Sequence, residues 1–345
     1  MALTIAAVCS VGVFVCYFSV IAFLFTLIVR DLATRASVLP VTAYVFIALT
    51  IASFTHTWFY MFNFMAWSFH DYESTAVPAV DATSLQRLSQ WLLNTSLFEQ
   101  AWAGVCFGRF NWWWSQQLCL FTVGPWTIFL ASEGPRFQVK RVWAYMLLGQ
   151  LVAISVASNL FYLALVLSPQ SLPTRINPHA PLRLWLPVLI SFLTVGISPF
   201  TNEQTFLPNL LLMHTLIVVP LVSSSPPNRG GGIFTLRRLY AIVCISALIL
   251  HLRASNIAGF STNFRTIPTT AEHLWTTLHS HPAQSSIGWD VIWTTISCLL
   301  WTAISVGPQT VASMLLDVGL GSIGFAAMFT FPQPEEATPD ERKQE

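Results

Sequence analysis

The fold of this chain is decided by residues 3–29, LTIAAVCSVGVFVCYFSVIAFLFTLIV, which contain no Asp, Glu, Lys or Arg. A helix that spans a membrane needs about 20 consecutive apolar residues. The segment is too long for the apolar core of a signal peptide and no basic residue precedes it, so we expect it to remain as a first transmembrane helix. Arg30, Asp31 and Arg35 follow directly. Because basic residues favour the cytoplasm, the N-terminus is predicted to be lumenal or extracellular.

The whole chain shares the apolar character of its first segment. Of its 345 residues, 54% are hydrophobic and 9% are charged, and the mean hydropathy is +0.61. A soluble domain carries about 25% charged residues, so the composition excludes a soluble enzyme and a disordered chain. A net charge of +1 with scattered basic residues excludes a nucleic-acid-binding surface. Six cysteines without a CxxC pair indicate neither a zinc site nor a disulfide framework.

Further apolar segments predict an all-α bundle of about eight or nine transmembrane helices, forming one domain over residues 1–331. After the first helix, the segments cover residues 39–62, a stretch ending near 132, and residues 142–167, 184–200, 206–222, 239–252, 288–306 and 309–331. Residues 64–73 and 253–287 are predicted to be loops. Residues 84–98 alternate apolar and polar positions at helical spacing, which is typical of a helix lying in the membrane interface. The tail, 332–345, is predicted to be disordered and cytosolic.

Two features of this topology need an explanation. With nine spans, Arg229, Arg237 and Arg238 fall on the lumenal side, which breaks the positive-inside rule. One span is therefore miscounted, and residues 99–110 are the first suspect. The second feature is Asn94-Thr95-Ser96, which spells a glycosylation acceptor. It lies so close to apolar sequence that we expect it to remain unmodified.

The familiar motifs of nucleotide and metal chemistry are missing. No GxGxxG or GxxxxGK[ST] loop, HExxH or GxSxG occurs, and histidine boxes and a DDxxD motif are also lacking. His279 and His281 bracket one serine, but a short pair in a loop is more often solvated than metal-bound. The sequence therefore predicts neither a cofactor nor a metal ion.

Two carboxyl groups stand in apolar, aromatic surroundings. Glu99 lies beside Phe98 and close to Trp102, and Asp290 follows Trp289 at the start of a predicted span. A charge at the bilayer centre costs about 2.5–3.5 kcal/mol or more, so such residues are functional candidates. Desolvation favours the neutral acid, which is the form that a general acid needs. The alternative for each residue is a capping or interhelical hydrogen bond.

Aromatic residues make up 14% of the chain, including 14 Trp. Many of them suit an interfacial belt, but a belt explains less well the run 112–114 beside Gln116 and Gln117, or Trp58 close to His56. Indole faces attract cations by about 0.5–2 kcal/mol, so an aromatic pocket with one neutral acid suits a carbocation cascade. The residues predicted to bind substrate are Trp58, Trp102, Trp113, Trp114, Gln116, Gln117 and Trp289.

Three further polar residues lie within predicted spans. Asn159 belongs to the fourth span, and Asn209 and His214 belong to the sixth. They either form hydrogen bonds between helices or orient a substrate hydroxyl and take up the final proton. His214 titrates in the range that suits a base.

Several short motifs together resemble fungal multipass membrane terpene cyclases of meroterpenoid and indole-diterpene pathways. They are FEQAW at 98–102 with WWSQQ at 113–117, GQLVAIS at 149–155 with NLF at 159–161, PN at 208–209 with His214, and GWD at 288–290. The resemblance covers roughly residues 37–331.

This resemblance implies an enzyme of the endoplasmic reticulum membrane that protonates an epoxide or alkene on a farnesyl-type chain. Ring closure and loss of a proton would follow, without a metal or nucleotide. The implied partners are a hydrophobic prenylated substrate, the lipid bilayer and a pathway epoxidase. The choice of Glu99 or Asp290 as the acid is our inference from their surroundings. Two alternatives are an exporter of a hydrophobic metabolite and a membrane acyl- or prenyltransferase that uses His214 with Asn209.

Overall fold

A computed structural model describes residues 4–35, 38–76, 82–168, 179–222, 233–260, 267–327 and 331. The helices are α1 Ile5–Ala33, α2 Val41–Ala76, α3 Ser84–Asn94, α4 Leu97–Cys106, α5 Arg109–Phe121, α6 Thr127–Arg136, α7 Val142–Leu151, α8 Ile154–Val166, α9 Leu182–Ile197, α10 Phe206–Leu216, α11 Val219–Val222, α12 Leu236–Ala258, α13 Ile267–Leu278, α14 Pro282–Ser305 and α15 Val311–Ala326. A π-helical turn, Thr122–Trp126, joins α5 to α6, and 3₁₀ turns lie at Ser198–Phe200 and Pro308–Thr310. Two short strands, β1 His179–Ala180 and β2 Phe234–Thr235, pair antiparallel.

The chain is an all-α membrane protein. Within the described residues, six helical segments are long and apolar enough to cross a bilayer, and they are α1, α2, Leu182–Phe200, α12, α14 and Pro308–Ala326. The predicted fold class is confirmed. The predicted disordered tail, 332–345, lies outside the described residues.

Helix α2 is longer than the sequence predicts. It has 36 residues, or about 54 Å at 1.5 Å per residue, whereas the hydrocarbon core is about 30 Å thick. The predicted loop at 64–73 is therefore wrong, since these residues continue the helix. The extension is held by the ion pair between Glu73 and Arg87 of α3. The amphipathic helix predicted at 84–98 is present as α3, and Thr83 and Gln86 form a capping box at its start.

The predicted loop at 253–287 is also largely helical. Its described residues include the last six of α12, all of α13 and the first six of α14. Asp290 therefore lies about two turns inside α14 rather than at its start.

Helices α7 and α8 form an antiparallel hairpin instead of the single span predicted at 142–167. The rings of Tyr145 and Phe161 are 5.4 Å apart, and a Cβ built on Gly149 would lie 3.3 Å from the Cβ of Ala157. In one continuous helix, residues 16 apart would be separated by about 24 Å. The chain reverses just before α8, where Ala153 is extended.

Both ends of this hairpin lie at the same end of the bundle. The Arg35 guanidinium, just after α1, donates to the Gln138 carbonyl before α7 at 2.9 Å. It also donates to the Ser168 hydroxyl after α8 at 2.9 Å. Helix α7 has 10 residues and α8 has 13, about 15 and 20 Å, so each reaches only part of the way through a bilayer.

Most of the basic residues that the structure describes collect at this end, which we call the basic end. Helix α12 runs antiparallel to α5 and α6, as three close pairs show: Trp113 with Ser255, Gln116 with His251 and Gly124 with Val243. The start of α12, and the start of α9 that β1 and β2 hold beside it, therefore lie near Arg136. The basic residues at the basic end are Arg30, Arg35, Arg136, Lys140, Arg141, Arg183, Arg237 and Arg238; among described residues, Arg87, Arg109 and Arg253 lie at the opposite end, the α3 end.

The hairpin explains the charge conflict in the predicted topology. Because α7 starts and α8 ends at the same end of the bundle, the segment 142–167 does not carry the chain from one end to the other. The predicted number of spans before α12 therefore falls by one. Arg237 and Arg238 then lie on the same side as Arg136, while Arg229 lies outside the described residues. The structure thus shows a segment, 142–167, that does not cross the bundle from end to end, while residues 99–110 include only the short helix α4 and the start of α5.

The tightest packing lies in the half of the bundle next to the basic end. Tyr162 of the hairpin stacks on Trp301 of α14 with centroids 4.9 Å apart and an angle of 7°. Trp126, Phe129 and Phe161 pack edge to face around them and are fully buried. These contacts fix the base of the hairpin, near the basic end, against α14 and the π-helical turn.

Candidate functional site

The most buried carboxyl group of the predicted site is that of Asp290 in α14, which lies against the tip of the α7–α8 hairpin. The two oxygens of Asp290 accept the backbone N–H groups of Ile154 and Ser155, each at 2.9 Å. These are the first residues of α8, where four N–H groups lack helical partners. Asp290 is 4% exposed, and the positive end of the α8 dipole faces its carboxyl group.

This geometry matches the alternative that the sequence left open for Asp290. The side chain caps α8 from a helix 136 residues away in sequence. Ser155 and Thr294 also lie against the carboxyl group. Asp290 therefore holds the hairpin tip to α14, and it is not among the residues that line the larger cavity described below.

A polar seam continues from Asp290 toward the basic end. Asn159 of α8 donates from Nδ2 to the Ser53 hydroxyl of α2 at 3.5 Å. Asn159 is fully buried, and so are Ser158 and Ser297. Within the described part of the chain, Asn159 Oδ1 and the hydroxyls of Ser158 and Ser297 have no hydrogen-bond partner. The seam is thus an unusually polar contact between α2, α8 and α14.

Glu99 occupies a different place, on the wall of a cavity of about 380 Å³ near the α3 end. It lies in the first turn of α4 and is half-buried. Among the described residues its carboxyl group has no hydrogen-bond partner and no ion pair. The cavity is lined by Ser10, Val13, Phe14, Leu92, Ser96, Leu97, Phe98, Glu99, Trp102 and Leu207. Glu99 is therefore the one ionisable side chain on an otherwise mostly apolar wall.

Trp102 joins this cavity to His214. It lines the cavity one turn after Glu99, and its ring stacks on the His214 ring with centroids 5.7 Å apart. The His214 Nδ1–H donates to the Leu210 carbonyl at 2.8 Å, which leaves Nε2 as the acceptor. The structure thus brings Glu99, Trp102 and His214 together, although His214 stands behind Trp102 rather than on the wall.

The hairpin tip lies directly beside this cavity. Tyr17 of α1 donates from its hydroxyl to the Leu151 carbonyl at 2.6 Å, and its ring packs 4.9 Å from that of Phe98. Gln150 donates to the backbone carbonyl of His214 at 3.2 Å. The same short tip therefore touches Asp290 on one side and the supports of the cavity on the other.

The cavity reaches the lateral surface of the bundle. Val13 at its edge is 62% exposed on the outer face of α1. Helix α1 is one of the segments that are long and apolar enough to span a membrane. An apolar molecule could enter from the bilayer without crossing water.

The predicted group around Trp113 and Gln116 forms a separate network. Gln116 donates to His251 Nδ1 at 2.7 Å, and Trp113 donates to the Ser255 hydroxyl at 3.0 Å. The cavity beside Gln116 is about 20 Å³, which is room for one water molecule. The structure therefore places this group apart from Glu99.

Two more residues of the predicted binding set serve to join helices. Trp114 donates to the Leu274 carbonyl at 3.0 Å and so fixes α13 to α5. Gln117 donates to the Trp113 carbonyl within α5. Neither lines the large cavity.

Trp58 and Trp289 also lie outside the cavity lining. Trp58 is 5% exposed and packs against Phe18 of α1. Trp289 packs on the His56 ring with centroids 4.4 Å apart, and His56 Nδ1 accepts the indole N–H of Trp293 at 3.1 Å. These tryptophans join α1, α2 and α14.

Asn209 and His214 do not face the same neighbours. Asn209 donates to the Thr194 carbonyl and the Ser198 hydroxyl, both at 3.0 Å. It therefore ties α10 to α9, while His214 faces α4 and α7. The interhelical hydrogen bond that the sequence offered as an alternative is the one observed for Asn209.

His279 and His281, which follow α13, have separate hydrogen-bond partners. His281 caps α14 by accepting the Ala283 N–H, and its ring packs on Trp67. Partial burial lowers the pKa of His281, which favours this neutral, accepting ring. His279 instead donates to the Trp275 carbonyl. Over the described ranges, no group of three or more His, Cys, Asp or Glu side chains could hold a metal ion.

Sequence reasoning missed Tyr17 and His251. A histidine inside an apolar segment is a detectable signal, because intramembrane ionisable residues are rare and have partners. Tyr17 gives no such signal, since its partner Leu151 is 134 residues away.

Comparisons with known proteins add no identification. No protein-family model matches the chain, and no curated protein or solved structure is significantly similar to it. The resemblance to membrane terpene cyclases therefore stays a prediction.

Proposed function

We propose that this chain is a membrane terpene cyclase in which Glu99 protonates an epoxidised or alkenyl prenyl chain. The observation that carries the proposal is the cavity of about 380 Å³ with Glu99 as its single ionisable wall residue. Ligand cavities have volumes of about 300–1,000 Å³ and are mostly apolar with a few polar groups. A farnesyl-type chain suits such a space.

The chemistry follows from the wall of the cavity. The Glu99 carboxyl transfers its proton to the epoxide oxygen, the C–O bond breaks, and an alkene of the same chain closes the ring on the cation. Trp102, Phe14 and Phe98 line the same cavity, and aromatic side chains there stabilise a cation and exclude water. Loss of a proton from carbon ends the cascade and restores the acid. The balance requires no metal, cofactor or redox partner.

On this proposal Asp290 is a positioning residue rather than the acid. Both its oxygens accept backbone N–H groups of α8. By holding the hairpin tip, it fixes Leu151 and hence Tyr17, whose ring packs on Phe98 of the cavity wall.

The test is conversion of an epoxyfarnesyl-aromatic substrate by microsomes that contain the full chain. Glu99→Gln removes the proton but keeps the shape, so we expect product formation to fall about 10²- to 10⁴-fold, the usual contribution of a general acid. Glu203→Gln is the matched control, because Glu203 is exposed in a turn. A wild-type chain that makes no cyclised product while a known cyclase does, or full activity of Glu99→Gln, would contradict the proposal.

An exporter of a hydrophobic metabolite is the second candidate. The hairpin favours it, because helices that stop inside the membrane and place their ends at an ion or substrate site are common in transporters. Energy-dependent movement of the unchanged metabolite across vesicles, without cyclised product, would select the exporter. Acyl or prenyl transfer through His214 and Asn209 gains no support, since these residues face different helices.

A further inference from the structure

The acceptor sequence Asn94-Thr95-Ser96 occupies an accessible position at the α3 end. Asn94 is the last residue of α3 and its side chain is exposed. Its amide donates to the Tyr72 hydroxyl at 3.0 Å and to the Gln90 carbonyl at 2.8 Å. After modification the amide nitrogen keeps one hydrogen, so one of these bonds can persist. The expectation that nearby apolar sequence would hide Asn94 is not supported.

The length of α2 places Asn94 beyond the hydrocarbon core. From Val41 at the basic end to Tyr72 the helix rises about 46 Å. The bilayer with its headgroups is about 40–45 Å thick. Because Asn94 bonds to Tyr72, it lies near the outer edge of the headgroup layer.

The distribution of charge decides which side this is. Of the eleven Lys and Arg residues that the structure describes, eight lie at the basic end and three at the α3 end. The hairpin removed the conflict with Arg237 and Arg238, so the count now agrees with the positive-inside rule. The basic end is cytoplasmic by this rule, and the α3 end is lumenal.

We propose that Asn94 carries an N-linked glycan. In the lumen, its Nδ2 forms a bond to the anomeric carbon of a lipid-diphosphate-linked oligosaccharide. The bond from that carbon to the phosphate oxygen breaks, the lipid diphosphate leaves, and Nδ2 loses one proton. The co-reactant and its transferase belong to the endoplasmic reticulum. This proposal depends on insertion in that membrane and not on cyclase activity, so either proposal can fail without the other.

The experiment is a gel-mobility assay of the full chain expressed in yeast, with and without peptide N-glycosidase. We expect one glycosidase-sensitive shift that Asn94→Gln and Ser96→Ala abolish. Thr95→Ala is the matched control: it removes the hydroxyl that bonds to the Trp91 carbonyl but keeps the acceptor spacing, so the shift must remain.

Two added acceptors separate the ways of failing. Asp81→Asn completes an acceptor with Ala82 and Thr83 between α2 and α3, and we expect a second shift. Gln138→Asn with Lys140→Thr builds one at the basic end and must add none. A wild-type chain without a glycosidase-sensitive shift in gel mobility overturns the proposal. If only Asp81→Asn then produces a shift, Asn94 is inaccessible to the transferase. If only the acceptor at the basic end produces one, the basic end is lumenal and the assignment of sides is reversed.

Discussion

The hairpin tip and the Glu99 cavity are neighbouring regions, and each has a carboxyl group beside it, but only the one at the tip has hydrogen-bond partners in the described part of the chain. At the tip, Asp290 is buried and both its oxygens accept N–H groups of α8. On the cavity wall, Glu99 is half-buried and has no partner among the described residues. A side chain with all its bonds made holds structure, while one without partners is available to a ligand. The two regions should therefore respond differently to the loss of their carboxyl groups.

The largest effect on stability is expected for Asp290→Ala. It leaves two buried N–H groups without partners at the start of α8 and removes a helix cap, which costs about 2–4 kcal/mol. Thermal unfolding of the protein in detergent measures the loss. Asp317→Ala is the matched control, since Asp317 is half-buried in α15 and has no partner in the described structure. Equal melting temperatures for the two variants would contradict the capping role.

The contact between α7 and α8 predicts the second effect. A Cβ at Gly149 would lie 2.8 Å from Ile154 Cδ1 and 3.3 Å from Ala157 Cβ, so Gly149→Ala should destabilise the chain by about 1–2 kcal/mol. Gly12→Ala in α1 has no atom within 4 Å of the new Cβ. Because alanine favours helix, that control should stabilise by about 0.5–1 kcal/mol. If both substitutions change the free energy of unfolding in the same direction, the contact between α7 and α8 is contradicted.

A smaller loss is expected for Tyr17→Phe. It removes one hydroxyl bond to the Leu151 carbonyl, a change of about 0.5–1.5 kcal/mol in the free energy of unfolding. Tyr44→Phe, at an exposed position of α2, should leave the melting temperature unchanged. If Tyr17 only fills space, the two variants will melt together.

The smallest effect on stability is expected for Glu99→Gln. Since Glu99 makes no described hydrogen bond, the substitution should change the free energy of unfolding by no more than about 0.5 kcal/mol, as surface substitutions do. The melting temperature of the variant should therefore stay close to that of the wild type. A large loss of stability would show that Glu99 has a structural role, and the contrast with Asp290 would disappear.

Much of the fold could be predicted from the sequence because apolar length alone specifies membrane helices. The all-α class and the amphipathic α3 follow from composition and spacing. The hairpin could not be predicted, since residues 142–167 have the length and hydropathy of one ordinary span. Its turn at Val152 and Ala153 contains no Gly or Pro. What bends the chain is tertiary, namely the packing of Tyr145 on Phe161 and the cap from Asp290.

The candidate site could be predicted only in part for the same reason. Rarity of charge in apolar sequence identified Glu99 and Asp290, but it could not separate a cap from a free acid. That difference depends on which backbone N–H groups lie nearby. The sequence also placed Trp113 and Trp102 in one pocket. In the structure Trp113 donates a hydrogen bond to Ser255, whereas Trp102 lines the cavity.

The central claim, that α7 and α8 form a hairpin, is tested most directly by a disulfide between Gly149→Cys and Ala157→Cys. The Cβ positions are 3.3 Å apart, close to disulfide geometry, whereas in a continuous helix residues eight apart are about 12 Å apart. Mild oxidation and mass spectrometry of the peptide 142–175 should show the bridge. The same spacing in α2, Phe46→Cys with Phe54→Cys, should show none. If cysteines 149 and 157 are still free thiols after oxidation, so that both react with an alkylating reagent, the segment is a single span and the account is contradicted.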